Sequence, residues 1–457
     1  MERTIAAIST ARGEAAIGIV RMSGPASKSI AERIFLPARK ITELKPRHMY
    51  YGKIRDPESE DLLDEVLCVY MKAPQSYTGE DMVEIQCHGS LISIKNILEL
   101  CCRQGAVLAE RGEFTKLAFL NGRMDLAQAE AVIDMIKART DSGFETAFSQ
   151  LSGKLSDRVR CIREELLDLL AMLGVNMDYP DEDIEEMSRK EVLNRLSPIN
   201  DEVNKLLAGA DEGKLIREGL GVAIIGRPNV GKSSLMNLLL KEDRSIVTDI
   251  PGTTRDTIEE QLSLRGIPIR LTDTAGIHDS KDIVESLGIE RSKAAADAAD
   301  IIIFLLDISR PLSQDDKALM SAIKDRPCIA VLNKEDLEEV LEENDVRRAL
   351  PSAKIVRSSL IDDDGAEVVK DALEELISSG KTRKESDILI TSIRHQQLLK
   401  EASEEIELAI EQSLSEVAID LIEMNVRAAF DLLGEITGDS ASGEIIDAVF
   451  ERFCLGK

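Results

Sequence analysis

Apolar positions along this chain change period several times. Residues 1 to about 120 alternate short apolar runs with turns, at Ile5–Ser9, Ile17–Met22, Glu65–Met71 and Met82–Gln86, which predicts strands with one buried face. Leu91, Ile94, Ile97, Leu98 and Cys101 then recur at helical spacing, so this segment reads as a small α+β domain. From Asp125 to about Leu215 the period is helical. Leu126, Ala129, Val132, Ile133 and Ile136 make one stripe, and Ile162, Leu166, Leu169, Leu170 and Leu173 another. Near Gly221 the pattern shifts to short, continuously apolar runs, Val222–Ile225 and Cys328–Leu332, as buried parallel strands require, and Ile269–Thr272 reads as a further strand. Helical spacing returns at Leu398, Leu399, Ala402, Ile406, Ala409, Ile410 and Leu414, then at Val417, Leu421 and Ile422, and last at Ile445, Ile446, Val449 and Phe450.

Helical blocks on both sides of an α/β segment predict an insertion, which is tolerated where the inserted domain's termini lie close together. The expected layout is an α+β domain over 1–120, a helical domain over 121–217 and 381–457, and an inserted α/β domain over 218–380, with Lys381–Glu385 at the second boundary. The fold class is therefore multidomain, α/β together with all-α.

The run Gly221–Ser234 carries the clearest chemistry. An apolar strand breaks into a glycine-bounded loop, Gly226–Gly231, before Leu235, Met236, Leu238 and Leu239 resume at helical spacing. The loop fits G-x-x-x-x-G-K-[ST]. Backbone N–H groups of Asn229, Val230 and Gly231 can curl around a diphosphate, Lys232 can reach the terminal phosphates, and Ser233, followed by Ser234, offers a hydroxyl to magnesium. Asn333-Lys334-Glu335-Asp336 follows an apolar run and so sits at a strand's carboxyl end; Asp336 can accept both guanine N–H groups, which adenine lacks. Asp273-Thr274-Ala275-Gly276 also follows a strand, where a carboxylate can hold the magnesium shell and a glycine N–H can sense a third phosphate. Three such motifs in this order predict a Ras-like P-loop GTPase domain.

Two details depart from Ras-like enzymes. Ile277 stands where such proteins keep the glutamine that orients attacking water, and its side chain has no hydrogen-bonding atom. No arginine finger is evident. Ile246–Asp256 is instead rich in carbonyls and hydroxyls that could surround a bare monovalent cation, with Asn229 as a further ligand; potassium would then supply the positive charge, while a plain Thr- and Gly-rich switch loop fits equally well.

Composition narrows the rest. The 457 residues hold enough core for about three domains. No apolar run spans a membrane and no signal peptide is recognisable, so a cytoplasmic protein is expected. Seven cysteines without a C-x-x-C pair predict thiols rather than disulfides or zinc. A formal charge of −27 argues against broad nonspecific nucleic-acid affinity but leaves room for a local basic patch. Ser76–Asp81, with Glu84 and Cys87-His88-Gly89, gathers polar groups around one strand; a capped hairpin with a core histidine also accounts for it.

Gly18-Ile19-Val20-Arg21-Met22-Ser23-Gly24, Ser76-Tyr77-Thr78-Gly79-Glu80-Asp81, Gly112-Glu113-Phe114-Thr115, Phe119–Leu126, the GTPase motifs and the terminal Phe453-Cys454-Leu455-Gly456-Lys457 together resemble the tRNA uridine-5-carboxymethylaminomethyl modification GTPase family MnmE, also called TrmE. The resemblance covers essentially the whole chain. It implies a homodimer formed through the N-terminal domain, which binds 5-formyl-tetrahydrofolate or a related tetrahydrofolate through Arg21, Glu84, Arg123 and Lys457. It also implies a complex with the FAD-dependent partner MnmG that builds aminomethyl or carboxymethylaminomethyl groups on carbon 5 of the tRNA wobble uridine. By the same resemblance, potassium ligands are Asn229, Thr248, Ile250 and Thr253, and magnesium ligands are Ser233 and Thr254. Glu285 acts through a bridging water, Ser358 and Ser359 support the guanine, and Cys454 is a candidate for the modification chemistry. Arg123 stands where many relatives have lysine, and Leu455 replaces isoleucine. The competing readings are a regulatory or ribosome-associated GTPase and a folate-dependent transferase with a vestigial GTPase; intact Lys232, Asp273 and Asp336 argue against the second.

Overall fold

The computed structural model of the chain describes residues 3–11, 13–178, 189–243, 259–264, 266–273, 284–361, 364–379, 388–415 and 417–457. The chain begins with β1 (Ile5–Ile8), β2 (Ala15–Ser23), α1 (Ser27–Ile34), β3 (Phe35–Pro37), β4 (Met49–Arg55), β5 (Leu62–Met71), β6 (Met82–Gly89), α2 (Leu91–Arg103), β7 (Val107–Leu108) and α3 (Glu113–Leu120). Its seven strands form one sheet in the order β3-β4-β5-β6-β2-β1-β7. Strand side chains alternate faces, so Val66, Cys68 and Tyr70 of β5 turn inward together with Val20 and Met22 of β2 and Ile85 of β6, and Ile30, Ile34, Ile94 and Ile97 of α1 and α2 close over them. On the other face Arg21 pairs in register with Glu84 across β2 and β6. His88 is not in the core; its side chain is 72% exposed because β6 turns it to the face that the helices leave uncovered.

Helices α4 (Leu126–Lys137), α5 (Asp141–Leu151), α6 (Lys154–Asp178), α7 (Arg189–Ala208) and α8 (Ala210–Glu218) follow. All five positions of the second predicted stripe are buried on α6. On α4, Leu126, Ala129 and Ile133 pack against Val449, Phe450 and Phe453, and that cluster stops at Ile133, so Ile136 stays 45% exposed.

The inserted α/β part comprises β8 (Leu220–Ile225), α9 (Lys232–Asp243), β9 (Glu259–Leu264), β10 (Ile267–Asp273), α10 (Val284–Ala298), β11 (Ile301–Asp307), α11 (Gln314–Ile323), β12 (Cys328–Asn333), α12 (Glu343–Ala349), β13 (Lys354–Ser358) and α13 (Asp364–Ser379). Its sheet order is β13-β12-β11-β8-β10-β9, parallel except for the β9–β10 hairpin. Both faces are covered, one by α9 and α13 and the other by α10, α11 and α12, which is why β11 and β12 read as unbroken apolar runs. The chain closes with α14 (Ile393–Leu414), α15 (Ile419–Thr437) and α16 (Gly443–Phe450). Leu398, Leu399, Ala402, Ile406 and Ala409 are buried on α14, whereas Leu414 at its end is exposed.

Contacts divide the chain into two compact units, one of Met1–Ile133, Ser149–Asn200 and Glu401–Lys457, the other of Asp134–Phe148 and Asp201–Lys400. The expected boundary at Lys381–Glu385 lies outside the described residues.

Candidate functional sites

In the second unit, β8 lies between β11 and β10, so strand order reverses beside its carboxyl end, the place where open α/β sheets bind ligands. The loop from β8 to α9 sits there. Gly231 has φ of +108°, and a Cβ at that position would lie 2.4 Å from Asn333 Nδ2, so no side chain fits. The Leu235 N–H bonds the Gly231 carbonyl at 2.9 Å, opening α9 with Ser233 and Ser234 exposed in its first turn. The N–H groups of a helix's first turn favour an anion. Asn229 is exposed with φ of 64°, and Val230 is buried. Lys232 Nζ donates to the Gly226 and Arg227 carbonyls, both at 2.8 Å.

Two further strand ends meet this loop. Buried Asn333 donates from Nδ2 to the Val230 carbonyl at 2.6 Å, and its Oδ1 accepts from the Leu360 N–H at 3.2 Å. Lys334 has φ of 68° and its Nζ lies 2.6 Å from Asp307 Oδ2 at the end of β11. Burial alone would raise the Asp307 carboxyl, but hydrogen bonds from Lys334 and Ser309 outweigh it and hold the group below the usual carboxylate range. Asp336 is exposed, and Ser359 Oγ donates to its Oδ1 at 2.7 Å. The Glu335 N–H bonds the Ser358 carbonyl at 3.3 Å, and Ser358 Oγ donates to the Gly365 carbonyl at 2.8 Å. The loops after β8, β12 and β13 are thus tied into one surface, with backbone donors at one end and the Asp336 carboxylate at the other. That arrangement suits a guanine nucleotide as substrate.

Asp273 ends β10 in register with Ile224 of β8. Its side chain, that of Glu285 in α10, and Thr248, Ile250, Thr253, Thr254, Thr274, Ala275, Gly276 and Ile277 lie outside the described residues. Ser233 is a hard oxygen donor of the type magnesium takes. Among the described residues no group of three His, Cys, Asp or Glu side chains is placed to hold a metal.

A second cluster lies in the first unit, on the sheet face opposite α1 and α2. Arg21 NH2 sits 2.7 Å from Glu84 Oε1, and its Nε donates to the same oxygen at 2.9 Å. The guanidinium lies over the Tyr77 and Phe114 rings, 5.6 and 5.7 Å from their centroids. Burial raises the Tyr77 phenol, against the opposing pull of its 2.9 Å bond to Thr115 and of the Arg21 charge. Arg123 is exposed, and its stem runs beside Gly79, where an added Cβ would lie 3.4 Å from Arg123 Cγ.

The C-terminal residues are pinned to the same region. The Gly112 N–H bonds the Cys454 carbonyl at 3.4 Å, the Phe114 N–H bonds the Lys457 carbonyl at 3.2 Å, and Ser9 Oγ donates to the Gly456 carbonyl at 3.2 Å. Of the four sequence-predicted folate contacts, Arg21 and Glu84 touch, and Lys457 is joined through its backbone to Phe114, the ring under Arg21. Arg123 lines Gly79, two residues from Tyr77. Cys454 is exposed. The sequence marks Tyr77 and Phe114 only as motif members. Their signal was the scarcity of aromatics, 3% of the chain, which makes two rings around one arginine notable.

Residues 4–123 match the family model described as GTP-binding protein TrmE N-terminus, and residues 126–454 match the MnmE helical domain. The chain is 47% identical over 459 residues to a tRNA modification GTPase MnmE of Alkaliphilus metalliredigens, covering 100% of both chains. The chain belongs to the MnmE family. Two further MnmE relatives are those of Clostridioides difficile, 44% identical over 462 residues with 100% of each chain covered, and Listeria welshimeri, 46% identical over 455 residues with 99% of each covered. Within the MnmE matches, Arg21, Glu84 and Arg123 fall in the TrmE N-terminal region, while the nucleotide loop and Cys454 fall in the helical-domain span.

Proposed function

We propose that this GTP hydrolase is potassium-dependent and acts in the cytoplasm with the FAD-dependent partner MnmG, adding an aminomethyl or carboxymethylaminomethyl group to carbon 5 of the tRNA wobble uridine with a tetrahydrofolate one-carbon unit. The observation that carries this reading is one member of the MnmE family keeping both a phosphate loop tied by Asn333 to the end of β12 and the Arg21–Glu84 cluster in the TrmE N-terminal region.

In the nucleotide site Lys232 is assigned to the terminal phosphates, the Asn229, Val230 and Gly231 backbone with Ser234 to the diphosphate, and Asp336, braced by Ser359, to guanine. Asn333 and Lys334 brace the pocket wall, and Ser358 anchors the loop beneath it. Ser233 and Thr254 would hold magnesium, with Asp273 in its outer shell; Asn229, Thr248, Ile250 and Thr253 would hold potassium, and Glu285 would orient water. Bound cations would neutralise charge developing on the phosphates, the part an arginine plays elsewhere.

In the N-terminal cluster a flat cationic guanidinium clamped by a carboxylate and two rings suits a pterin-like heterocycle with an acidic tail. Glu84 would accept from ring N–H groups, Arg21, Arg123 and Lys457 would attract the tail carboxylates, and a bound tetrahydrofolate would supply the one-carbon unit. Two copies of the chain would pair through the N-terminal domain, over residues 1–120, with the nucleotide domain over 218–380 inserted in the helical one.

GTP turnover in potassium against sodium buffer, with Asn229→Ala alongside, tests the reading. A potassium preference that the substitution removes supports it. Equal rates in both salts overturn cation dependence and favour a regulatory or ribosome-associated GTPase.

A further inference from the structure

The phosphate loop is held from behind by a carboxylate that belongs to none of the nucleotide-binding motifs. Asp316 is the third residue of α11, and its side chain is 5% exposed. Its Oδ2 accepts from Ser313 N at 2.9 Å and Ser313 Oγ at 2.7 Å, while the Asp316 N–H donates back to Ser313 Oγ at 3.1 Å, a closed capping box. The same Oδ2 meets Arg227 NH1 at 3.2 Å. Among the described residues Oδ1 is buried with no hydrogen-bond partner, so this carboxylate is met on Oδ2, where Arg227 supplies the cation.

Arg227 is the second residue of the phosphate loop, and its carbonyl is one of the two that receive Lys232 Nζ. A continuous path of contacts therefore runs from the α11 N-terminus through the Arg227 side chain and backbone to Lys232. Pro228 and Pro311 stiffen the two loops it crosses, and both line the same small cavity as Arg227 and Asp316. An ion pair with one buried member is sensitive to loss of its partner, because the remaining charge is left uncompensated.

We propose that Asp316 is a positioning residue for the phosphate end of the nucleotide site: through Arg227 it fixes the carbonyl that holds Lys232, and so sets affinity for the nucleotide's phosphates rather than for its base. The inference rests on the assignment of Lys232 to the phosphates.

Competition binding on the full chain, with GDP, GTP and the phosphate-free nucleoside guanosine, separates the possibilities. Asn at 316 keeps an acceptor for the Ser313 cap but removes the charge that Arg227 needs. Asp316→Asn is expected to weaken GDP and GTP by about tenfold, equivalent to about 1.4 kcal/mol, and to leave guanosine unchanged. Asp316→Glu, which keeps the charge, should restore most of the loss. Combined with Arg227→Gln, the two effects should be less than additive, since they cut one path. Equal weakening of guanosine, GDP and GTP by Asp316→Asn would overturn the proposal and make the residue a helix cap only, as would no change in any of the three. If the unaltered protein holds guanosine as tightly as GDP, the Lys232 assignment fails first, an outcome distinct from failure at Asp316.

Discussion

Asn333, at the carboxyl end of β12, donates to the Val230 carbonyl in the loop between β8 and α9 at 2.6 Å, so the ends of two strands are joined by one buried side chain. Its other amide atom accepts from Leu360 N–H, in the loop that follows β13. Asn333→Ala removes both partners and leaves a buried carbonyl unpaired, at a cost of about 1–3 kcal/mol, and a half-buried N–H with it. The expected result is a loss of GDP and GTP affinity of roughly tenfold or more, read by titration with a fluorescent guanine nucleotide. Gly231→Ala attacks the same junction from the other side and should abolish nucleotide binding, since its Cβ would stand 2.4 Å from Asn333 Nδ2.

The sequence made this junction's parts legible but not their joinery. Asn333 and Val230 each stand in a motif, yet nothing in their spacing says that one binds the other, because that contact depends on β12 lying next but one to β8. Strands with unbroken apolar runs, such as β8 and β12, were legible for the reason that both faces are buried. β4 was not: of Met49–Arg55 only Gly52 and Ile54 are buried, and a strand with so little buried side chain carries no clear alternation. His88 misled for a related reason, since a polar residue between Cys87 and Gly89, both buried, gives no sign of which face it takes.

Gly456 has φ of +86°, and a Cβ there would lie 2.0 Å from the Ile8 carbonyl oxygen. Gly456→Ala should therefore detach the segment that carries Cys454 and Lys457, while leaving the nucleotide site intact. Calorimetric titration with 5-formyl-tetrahydrofolate is expected to show weaker binding, with GDP affinity unchanged. A parallel loss of GDP binding would show that the effect is general.

Burial pushes the thiols of Cys68, Cys101 and Cys328 up to about 12 and that of Cys87 to about 11, and it also raises half-buried Cys102. Only the thiolate reacts readily with a disulfide reagent. Of the seven cysteines, Cys161 and Cys454 alone are exposed. Titration of the native protein with an aromatic disulfide near neutral pH should find two fast thiols, and one after Cys454→Ser.

Asp307 and Lys334 form an ion pair whose pH dependence has a definite sign. Because the folded carboxyl lies below its ordinary value, its contribution to stability is present above about pH 4 and is lost as pH falls through the folded pKa. Asp307→Asn should lower the melting temperature at neutral pH. The gap from the unaltered protein should narrow in acid, a convergence that a pure packing defect would not show.

Around His88 in the N-terminal domain the sign is opposite. His88 Nδ1 lies 2.6 Å from Asp64 Oδ1, while Asp64 Oδ2 accepts from Ser93 Oγ at 2.5 Å and from the His88 N–H at 3.0 Å. The Asp64 hydrogen bond, reinforced by its charge, raises the imidazole above its ordinary 6.5. On Asp64, burial pushes the carboxyl up, but the Ser93 and His88 hydrogen bonds prevail and hold it low, so both partners favour the charged pair. A group whose folded pKa is raised contributes stability fully below its unfolded value, near pH 6.5, and that contribution disappears as pH rises through the folded pKa. With only four histidines in the chain, their ring resonances can be followed individually by nuclear magnetic resonance. His88 should titrate above 6.5 and return to the ordinary value in Asp64→Asn. Ser93→Ala, which removes a competing donor from the carboxylate, should leave the His88 shift in place or enlarge it. An unshifted His88 in the unaltered protein would break the pairing on which this prediction stands.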